Sequence, residues 1–434
     1  MDKMADVLGR AGAWCGQNKY LSAIKNAFQN FMPLTIAGAI GVLWCNVLVN
    51  DQTGLGLFFK PIMALDFLNP AFQAVNFCTI SCITVGITLG IAQEIGVWNM
   101  GAERAGYIPG LVGLAAWLSV TNTSHMVDGA KEAFTGVAGN ELGATGLFTG
   151  MIIGVLSVEL FCFFEKQDAL KIKMPEQVPP GVARAFEVLV PATITLIITA
   201  CIGSACYNLT GLYLNDVIKN GIQGPLGAVG ATIPGVMIIY LVIMLFWLVG
   251  IHGNNMLSAV KEALFTPLAL ENVEAFNKHQ TPKNIINMYA LQMWGEFGGS
   301  GVTIGLVIAI MIFGKREDNK AIATLSLVPG LFNINETVTF GIPMVLNPIL
   351  GIPFVVAPLI TIIIGYVLTV IGFCPVACLT VPWTCPPIVF GFLATGANVM
   401  GAVTQAILIV VSTVIYTPFL IAYEKYQNKQ AAEA

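Results

Sequence analysis

The sequence contains few charged side chains. Only 10% of its 434 residues are Asp, Glu, Lys or Arg, whereas 56% are hydrophobic and the mean hydropathy is +0.78. A soluble domain carries about a quarter of its residues as charge, so an ordinary cytoplasmic enzyme is excluded. No charged residue occurs from Asn220 to Ile251 or from Thr337 to Tyr423. Apolar runs of about 20 residues, rather than alternating strands of roughly 10, indicate an all-α, polytopic helical membrane protein.

Several partner and cofactor classes lack their usual sequence signals. Basic residues are too few and scattered for nucleic-acid binding, and the net charge is only -4. No GxxxxGK[ST] phosphate loop is present, so the chain does not itself hydrolyse ATP. The cysteines lie mostly in or beside apolar runs, without the His and carboxylate neighbours of a metal site. We therefore interpret them as packing residues and expect neither a metal nor another cofactor.

The distribution of apolar and basic residues predicts the spans and their orientation. Spans are expected near residues 29–49, 72–93, 107–120, 142–164, 188–207 and 226–249. Lys and Arg concentrate at the N-terminus, in the loop of residues 165–184 and in the C-terminal tail, which predicts that both termini are cytoplasmic. Residues 4–14 have apolar side chains at helical spacing and predict an interfacial amphipathic helix.

Beyond Gly250 the apolar segments are interrupted. Residues 284–313, 321–346 and 379–398 are broken by Gly, Pro and Asn, whereas uninterrupted spans resume near 354–371 and 403–421. Irregular backbone at membrane depth persists only where it is buried in protein or lines a cavity. We therefore expect about ten membrane-penetrating helices, with re-entrant hairpins in the C-terminal half. Residues 1–215 are predicted to form a scaffold half and residues 216–434 a substrate-binding half.

Glu336 is isolated in this apolar setting. It is the only Asp, Glu, Lys, Arg or His between Lys320 and Glu424, and Asn333 and Asn335 precede it at an expected helix break. An intramembrane carboxylate is costly unless it has a partner, so it indicates a functional site by default. The alternative is a structural Glu paired with a Lys or Arg of another helix.

His252 follows the uncharged stretch that begins at Asn220. The two glycines of its segment allow the backbone to turn close to a ligand, while the imidazole and two amides supply donors and acceptors. A histidine that caps a loop at the membrane interface is the alternative interpretation. His125 and His279 are interpreted as surface residues. The segment reads Gly250-Ile251-His252-Gly253-Asn254-Asn255.

Uncharged polar side chains beside one carboxylate suit a sugar. Amides can pair with hydroxyls that both donate and accept, and aromatic faces can cover the C–H faces of pyranose rings. Taken singly, each Trp also fits a core or interfacial position. The predicted substrate-binding residues are Asn254, Asn255, Asn333, Asn335, Trp247 and Trp383, beside His252 and Glu336.

The segment of residues 250–255, taken together with residues 335–343, resembles the membrane-spanning enzyme IIC of the bacterial phosphoenolpyruvate:sugar phosphotransferase system. The lactose/cellobiose/chitobiose branch is the most similar, over essentially the whole chain. This resemblance implies that a disaccharide is carried inward and phosphorylated on its 6-hydroxyl by phosphorylated enzyme IIB, with enzyme IIA upstream. It places His252 and Glu336 at the sugar site as catalytic residues. It also implies a homodimer joined through the N-terminal half, in the bacterial inner membrane.

In this family the phosphoryl donor is a phosphocysteine, which some members carry on a fused C-terminal domain. Here only residues 424–434 follow the last span, so we expect the donor on a separate chain. Glu336 would orient the hydroxyl or accept its proton. Cellobiose and diacetylchitobiose are the favoured substrates, and lactose stays open. The alternative function is an ion-coupled sugar transporter in which Glu336 binds H⁺ or Na⁺. A channel is the third candidate function.

Overall fold

The computed structural model describes Arg10, Trp14 and residues 17–51, 55–125, 134–175, 177–342 and 344–433. The amphipathic helix predicted over residues 4–14 falls almost wholly outside these residues. The helices of the first half are α1 Lys19–Leu43, α2 Asn69–Cys78, α3 Ile83–Met100, α4 Ala102–Ala105, α5 Ile108–Val120, α6 Gly139–Leu142, α7 Ala144–Glu165, α8 Pro180–Thr210, α9 Leu214–Ile218 and α10 Gly224–Gly230.

The helices of the second half are α11 Ile233–Leu248, α12 Gly253–Met256, α13 Ser258–Asn277, α14 Met288–Gly295, α15 Ile304–Phe313, α16 Glu317–Leu331, α17 Glu336–Gly341, α18 Gly351–Val370, α19 Val389–Ala394 and α20 Val399–Glu433. Short 3₁₀ or π turns cover Trp44–Leu48, Leu55–Leu57, Lys60–Leu68, Ile80–Cys82, Asp168–Leu170 and Lys219–Gln223. Strands β1 Ser124–His125 and β2 Phe134–Thr135 form an antiparallel pair.

Six helical stretches in the described residues are long and apolar enough to cross a bilayer. About 20 helical residues are needed to span its hydrocarbon core. The six are Lys19–Leu48, Lys60–Met100, Ala144–Glu165, Pro180–Thr210, Gly351–Val370 and Val399–Glu433, and shorter apolar helices cover Ile108–Val120, Ile233–Leu248 and Ile304–Phe313. The predicted all-α, polytopic membrane fold is therefore confirmed. The side on which the termini lie stays a prediction.

The chain divides into two compact units, of which one comprises Gln17–Gly38 and Ala74–Gly227. In this unit α3, α5 and α7 pack against one another, and α8 packs against α5 and α7. A Cβ atom on Gly150 would lie 2.2 Å from Thr88 Oγ1, so the small residue permits the close approach of α7 to α3. At the end of α7, the buried Glu165 carboxylate forms ion pairs with Arg104 at 2.8 Å and Arg184 at 2.9 Å.

The other unit includes Ala39–Gln73 and Ala228–Ala434. Here α20 packs against α15, α18 and α19, while α18 also contacts α11 and α14. Helices α14, α15 and α19 have eight, ten and six residues and are too short to span the bilayer alone. Residues 296–303, 332–335 and 371–388 interrupt the helices. These interruptions confirm the predicted broken helices of the C-terminal half, whereas the functional division at residue 215 stays a prediction.

Candidate functional site

A glycine-rich turn follows α14 at residues 296–303. Gly298, Gly299 and Gly301 have φ values of +69°, +88° and +81°, the left-handed region that side chains with a Cβ rarely adopt. At Gly299 space is also limiting, because a Cβ atom there would lie 2.6 Å from Asn335 Cγ. The glycine therefore allows the residue before Glu336 to approach the turn.

Ser300 joins the two polar motifs that were identified in the sequence. Asn254 Nδ2 donates a hydrogen bond to Ser300 Oγ at 2.9 Å, and Asn335 Nδ2 donates to the Ser300 carbonyl oxygen at 2.7 Å. Asn335 is only 4% exposed, so its amide is held away from water. The segments of residues 250–255 and 333–342 thus meet on one turn, although they are far apart in sequence.

His252 precedes α12 and caps it. Its Nδ1 accepts a hydrogen bond from the Asn255 backbone N–H at 3.2 Å. In the neutral imidazole this assigns the proton to Nε2, which can donate to a ligand oxygen. The Trp247 ring packs against the imidazole with 4.4 Å between centroids, and Trp247 is only 2% exposed. Packing against a buried ring restrains the orientation of the histidine.

Glu336 is the first residue of α17 and its side chain is exposed. It directly follows Asn335, whose amide is bonded to Ser300, so Glu336 lies next in the chain to a residue attached to the glycine-rich turn. Within the described part of the chain, no hydrogen bond or ion pair occupies the Glu336 carboxylate. The alternative of a structural ion pair therefore finds no cationic partner among these residues, and the carboxylate can accept a hydrogen bond from a ligand.

A buried ion pair between Lys261 and Glu296 lies beside these groups and was not predicted. Lys261 Nζ also donates to Asn254 Oδ1 at 3.3 Å, and Tyr240 Oη donates to Glu296 Oε1 at 2.7 Å. Together with the bond to Ser300, these contacts fix both ends of the Asn254 amide. Glu296 could have been found by the rule that identified Glu336, since it is a lone carboxylate among glycines in an apolar segment.

Asn333 attaches the segment of Trp383 to the same glycine-rich turn. Its Oδ1 accepts from the Gly298 N–H at 2.6 Å, and its Nδ2 donates to the carbonyl oxygens of Trp383 and, at 3.1 Å, Cys385. Trp383 is 45% exposed, whereas Trp247 is buried. Of the two tryptophans considered as sugar platforms, Trp383 is the one with an accessible surface.

The structure therefore gathers most of the predicted site residues around Gly298 and Ser300. The Asn255 side chain is exposed, and its backbone N–H supports His252. The amides of Asn254, Asn333 and Asn335 already bond to protein groups, while their contact with a sugar stays a prediction. No group of three or more His, Cys, Asp or Glu side chains suited to a metal occurs among the described residues.

Helices that cross the membrane, together with a polar site built on broken helices, define a multi-pass membrane permease. Residues 25–358 match the model of the family described as "Phosphotransferase system, EIIC". The chain belongs to this family and is a membrane component of the phosphotransferase system. The identification that the two sequence motifs suggested is thereby confirmed.

Similarity to individual members extends over nearly the whole chain. The oligo-beta-mannoside-specific EIIC component of Bacillus subtilis (strain 168) is 33% identical over 98% of this chain and 94% of its own length. The cellobiose-specific EIIC component of Lactococcus lactis subsp. lactis (strain IL1403) is 30% identical over 98% of both chains. The crystal structure of ChbC, the IIC component from the N,N'-diacetylchitobiose-specific phosphotransferase system, has a TM-score of 0.88 and 29% identity, covering 97% of each chain.

Proposed function

We propose that this permease carries a β-linked disaccharide inward and presents its 6-hydroxyl to the phosphocysteine of a separate, phosphorylated enzyme IIB. Cellobiose and diacetylchitobiose are the favoured substrates. The names of the similar proteins support this class, because cellobiose, diacetylchitobiose and oligo-β-mannosides all contain β-linked pyranose rings. Enzyme IIA would in turn supply the phosphoryl group to enzyme IIB.

The shared hydrogen bonding at Ser300 is the observation on which this proposal chiefly rests. It attaches the motif of His252 and the motif of Glu336 to the two oxygens of one residue. A donor, His252 Nε2–H, and an acceptor, the Glu336 carboxylate, are thereby available at one site. A sugar hydroxyl needs this combination, because it both donates and accepts.

The proposed reaction is a transfer of one phosphoryl group from sulfur to oxygen. The 6-hydroxyl oxygen forms a bond to phosphorus as the S–P bond of the phosphocysteine breaks, and the cysteine leaves as thiolate. Glu336 accepts the hydroxyl proton, while His252 donates to a sugar oxygen and holds the ring in place. Phosphoryl transfer depends chiefly on alignment and on charge stabilisation, so positioning of the hydroxyl is the main contribution of this chain.

The arrangement in the membrane is part of the same proposal. Residues 1–215 would form the scaffold of a homodimer, residues 216–434 would bind the sugar, and both termini would face the cytoplasm of the bacterium. The connection between α7 and α8 supports this orientation, since it carries several basic residues, as cytoplasmic loops do. These residues are Lys166, Lys171 and Lys173, and Arg184 follows near the start of α8.

Product analysis separates this function from ion-coupled transport. Membrane vesicles that contain the protein would receive radiolabelled cellobiose, diacetylchitobiose, lactose or β-mannobiose, with and without phosphorylated enzyme IIB. We expect the transported sugar to be recovered as its 6-phosphate, and only when enzyme IIB is present. Concentrative uptake of unmodified sugar, driven by a proton or sodium gradient without enzyme IIB, would instead support an ion-coupled transporter.

A further inference from the structure

Asn333 ends helix α16 in a conformation that glycine adopts more easily. Its φ is +63°, its N–H donates to Gly330 O at 3.0 Å, and the next N–H, of Ile334, donates to Pro329 O at 3.0 Å. These are the hydrogen bonds of a Schellman helix end, where glycine is the commonest left-handed residue. An asparagine there costs backbone free energy, which its side-chain contacts can offset.

Those contacts use the donors of the Asn333 amide completely. A primary amide has two N–H donors, and both are directed at the carbonyl oxygens of Trp383 and Cys385. The amide oxygen accepts from the Gly298 N–H at 2.6 Å. The side chain therefore links two backbone segments and has no N–H left to donate to a sugar.

The segment that Asn333 holds depends on side-chain amides along its length. Residues 371–388 contain no helix, and non-helical backbone at membrane depth needs hydrogen-bond partners from the protein. Asn333 serves the part around Trp383. The other amides are Asn272 and Asn287, which donate to Ala377 O at 3.0 and 3.1 Å, and Gln405, which accepts from the Ile388 N–H at 2.8 Å.

We propose that Asn333 is a positioning residue that holds the Trp383 ring as the stacking platform for one pyranose ring of the substrate. The inference rests on the proposed sugar transport. Of Trp247 and Trp383, Trp383 has the accessible surface, being 45% exposed, and its backbone carbonyl is bonded to the Asn333 amide that also binds Gly298. A sugar ring presents an apolar C–H face to such a surface. The position of the Trp383 ring therefore affects the affinity for the sugar.

Asn333 and the two polar motifs are attached at different residues of the glycine-rich turn, which would favour binding of a disaccharide over a monosaccharide. Asn333 binds at Gly298, whereas the motifs of His252 and Glu336 are attached at Ser300. Two residues span at most about 7 Å of backbone, so the attachments are near each other but distinct. A disaccharide held through one ring at His252 and Glu336 extends its other ring to Trp383.

Asn333→Gly tests the positioning role of Asn333, because it removes the side-chain amide and keeps a residue suited to the left-handed backbone. The control is Asn398→Gly, since among the described residues Asn398 Oδ1 accepts only from its near neighbour, the Met400 N–H, at 2.9 Å. Calorimetry on purified protein would compare cellobiose with glucose, and diacetylchitobiose with N-acetylglucosamine. We expect Asn333→Gly to weaken disaccharide binding about three- to tenfold and monosaccharide binding by less than about twofold. Asn398→Gly should bind both as the wild type does.

Trp383→Ala separates positioning from a general structural role. It should reproduce the selective loss of disaccharide affinity, and combining it with Asn333→Gly should add nothing, since both remove one platform. Equal losses for one-ring and two-ring sugars, or additive losses in the double variant, would overturn the inference. If Asn333→Gly does not fold, Asn333→Asp, which keeps the Oδ1 acceptor, is judged by the same comparison.

The outcome for the wild type distinguishes this inference from the function on which it rests. A wild type that binds no β-linked disaccharide would overturn the proposed function and the inference together. A wild type that binds the disaccharide while Trp383→Ala binds it equally well would overturn the inference alone.

Discussion

Lys261 and Glu296 form an ion pair whose side chains are only 7% and 17% exposed. Lys261 also donates to Asn254, two residues after His252, so the pair supports the turn that carries the imidazole. Removing one member of a buried pair leaves the other charge without its partner, which is costlier than replacing both. The ion pair therefore stabilises the site and also helps to hold the turn that carries His252.

The ion pair can be tested through stability. We expect Lys261→Met to lower the free energy of unfolding in detergent by about 3 kcal/mol, because the largely buried Glu296 loses its cationic partner and keeps only the hydrogen bond from Tyr240. Lys261→Met combined with Glu296→Gln should recover much of that loss. Lys320→Met is the control, because the exposed pair of Lys320 with Glu317, at 3.1 Å, should contribute at most about 1 kcal/mol. Equal losses for Lys261→Met and Lys320→Met would contradict the prediction.

His252→Ala should weaken sugar binding by roughly 1–3 kcal/mol, since it leaves a buried polar partner of the sugar unpaired. Calorimetry on the folded variant measures this change. His279→Asn is the control, because His279 is exposed beyond the far end of α13 and its φ of +53° is one that asparagine tolerates. Unchanged affinity in His252→Ala would assign the histidine to a structural role.

Glu336→Gln should separate binding from phosphorylation. The amide keeps the size and some hydrogen bonding of the carboxylate but loses its charge and most of its basicity. We expect a modest loss of sugar affinity and a loss of about 100-fold or more in phosphorylation by enzyme IIB, the range expected for a positioned base. Glu317→Gln, at an exposed position, should leave both unchanged. Near-normal phosphorylation with intact binding would show that Glu336 is neither a base nor an essential orienting group.

Gly299→Ala should disrupt the junction between the two motifs. An added Cβ would meet Asn335 Cγ at 2.6 Å, in addition to the cost of a φ of +88°. Gly372→Ala separates these effects, because Gly372 also has a positive φ, +78°, but among the described residues no atom beyond its chain neighbours lies within 4 Å of its added Cβ. Both variants should lose about 1–2 kcal/mol of stability through backbone strain, and only Gly299→Ala should also lose sugar binding. Full binding by folded Gly299→Ala would show that the close approach of Asn335 is not needed.

The two polar motifs could be predicted from the sequence because their signals are local. His252 and Glu336 each stand among glycines or asparagines beside a long uncharged stretch. Ser300 has no such signal, since its role arises from contacts with residues 46 and 35 positions away. The partner of Glu296, Lys261, is likewise separated from it by 35 positions, and pairing at that distance depends on the tertiary fold.

The helices extend beyond the apolar runs from which the spans were predicted. Helix α1 begins at Lys19, ten residues before the predicted span of residues 29–49, and polar side chains in this first part have partners within the protein. Lys19 pairs with Glu159, and Asn26 Nδ2 donates to Glu94 at 2.8 Å. Burial of Trp247 was equally hard to predict, since α11 is apolar on all sides and its sequence does not reveal which face packs inward.

The side chains that anchor residues 371–388 are uncharged amides, and this lack of charge bears on how the segment responds to membrane voltage. No charged side chain occurs from Thr337 to Tyr423, so movement of this segment across the bilayer would carry no formal side-chain charge. Each elementary charge moved through 100 mV involves about 2.3 kcal/mol of electrical work. The voltage therefore acts on no formal side-chain charge in the segment of Trp383, whereas the Glu336 carboxylate, in the same proposed site, does carry one.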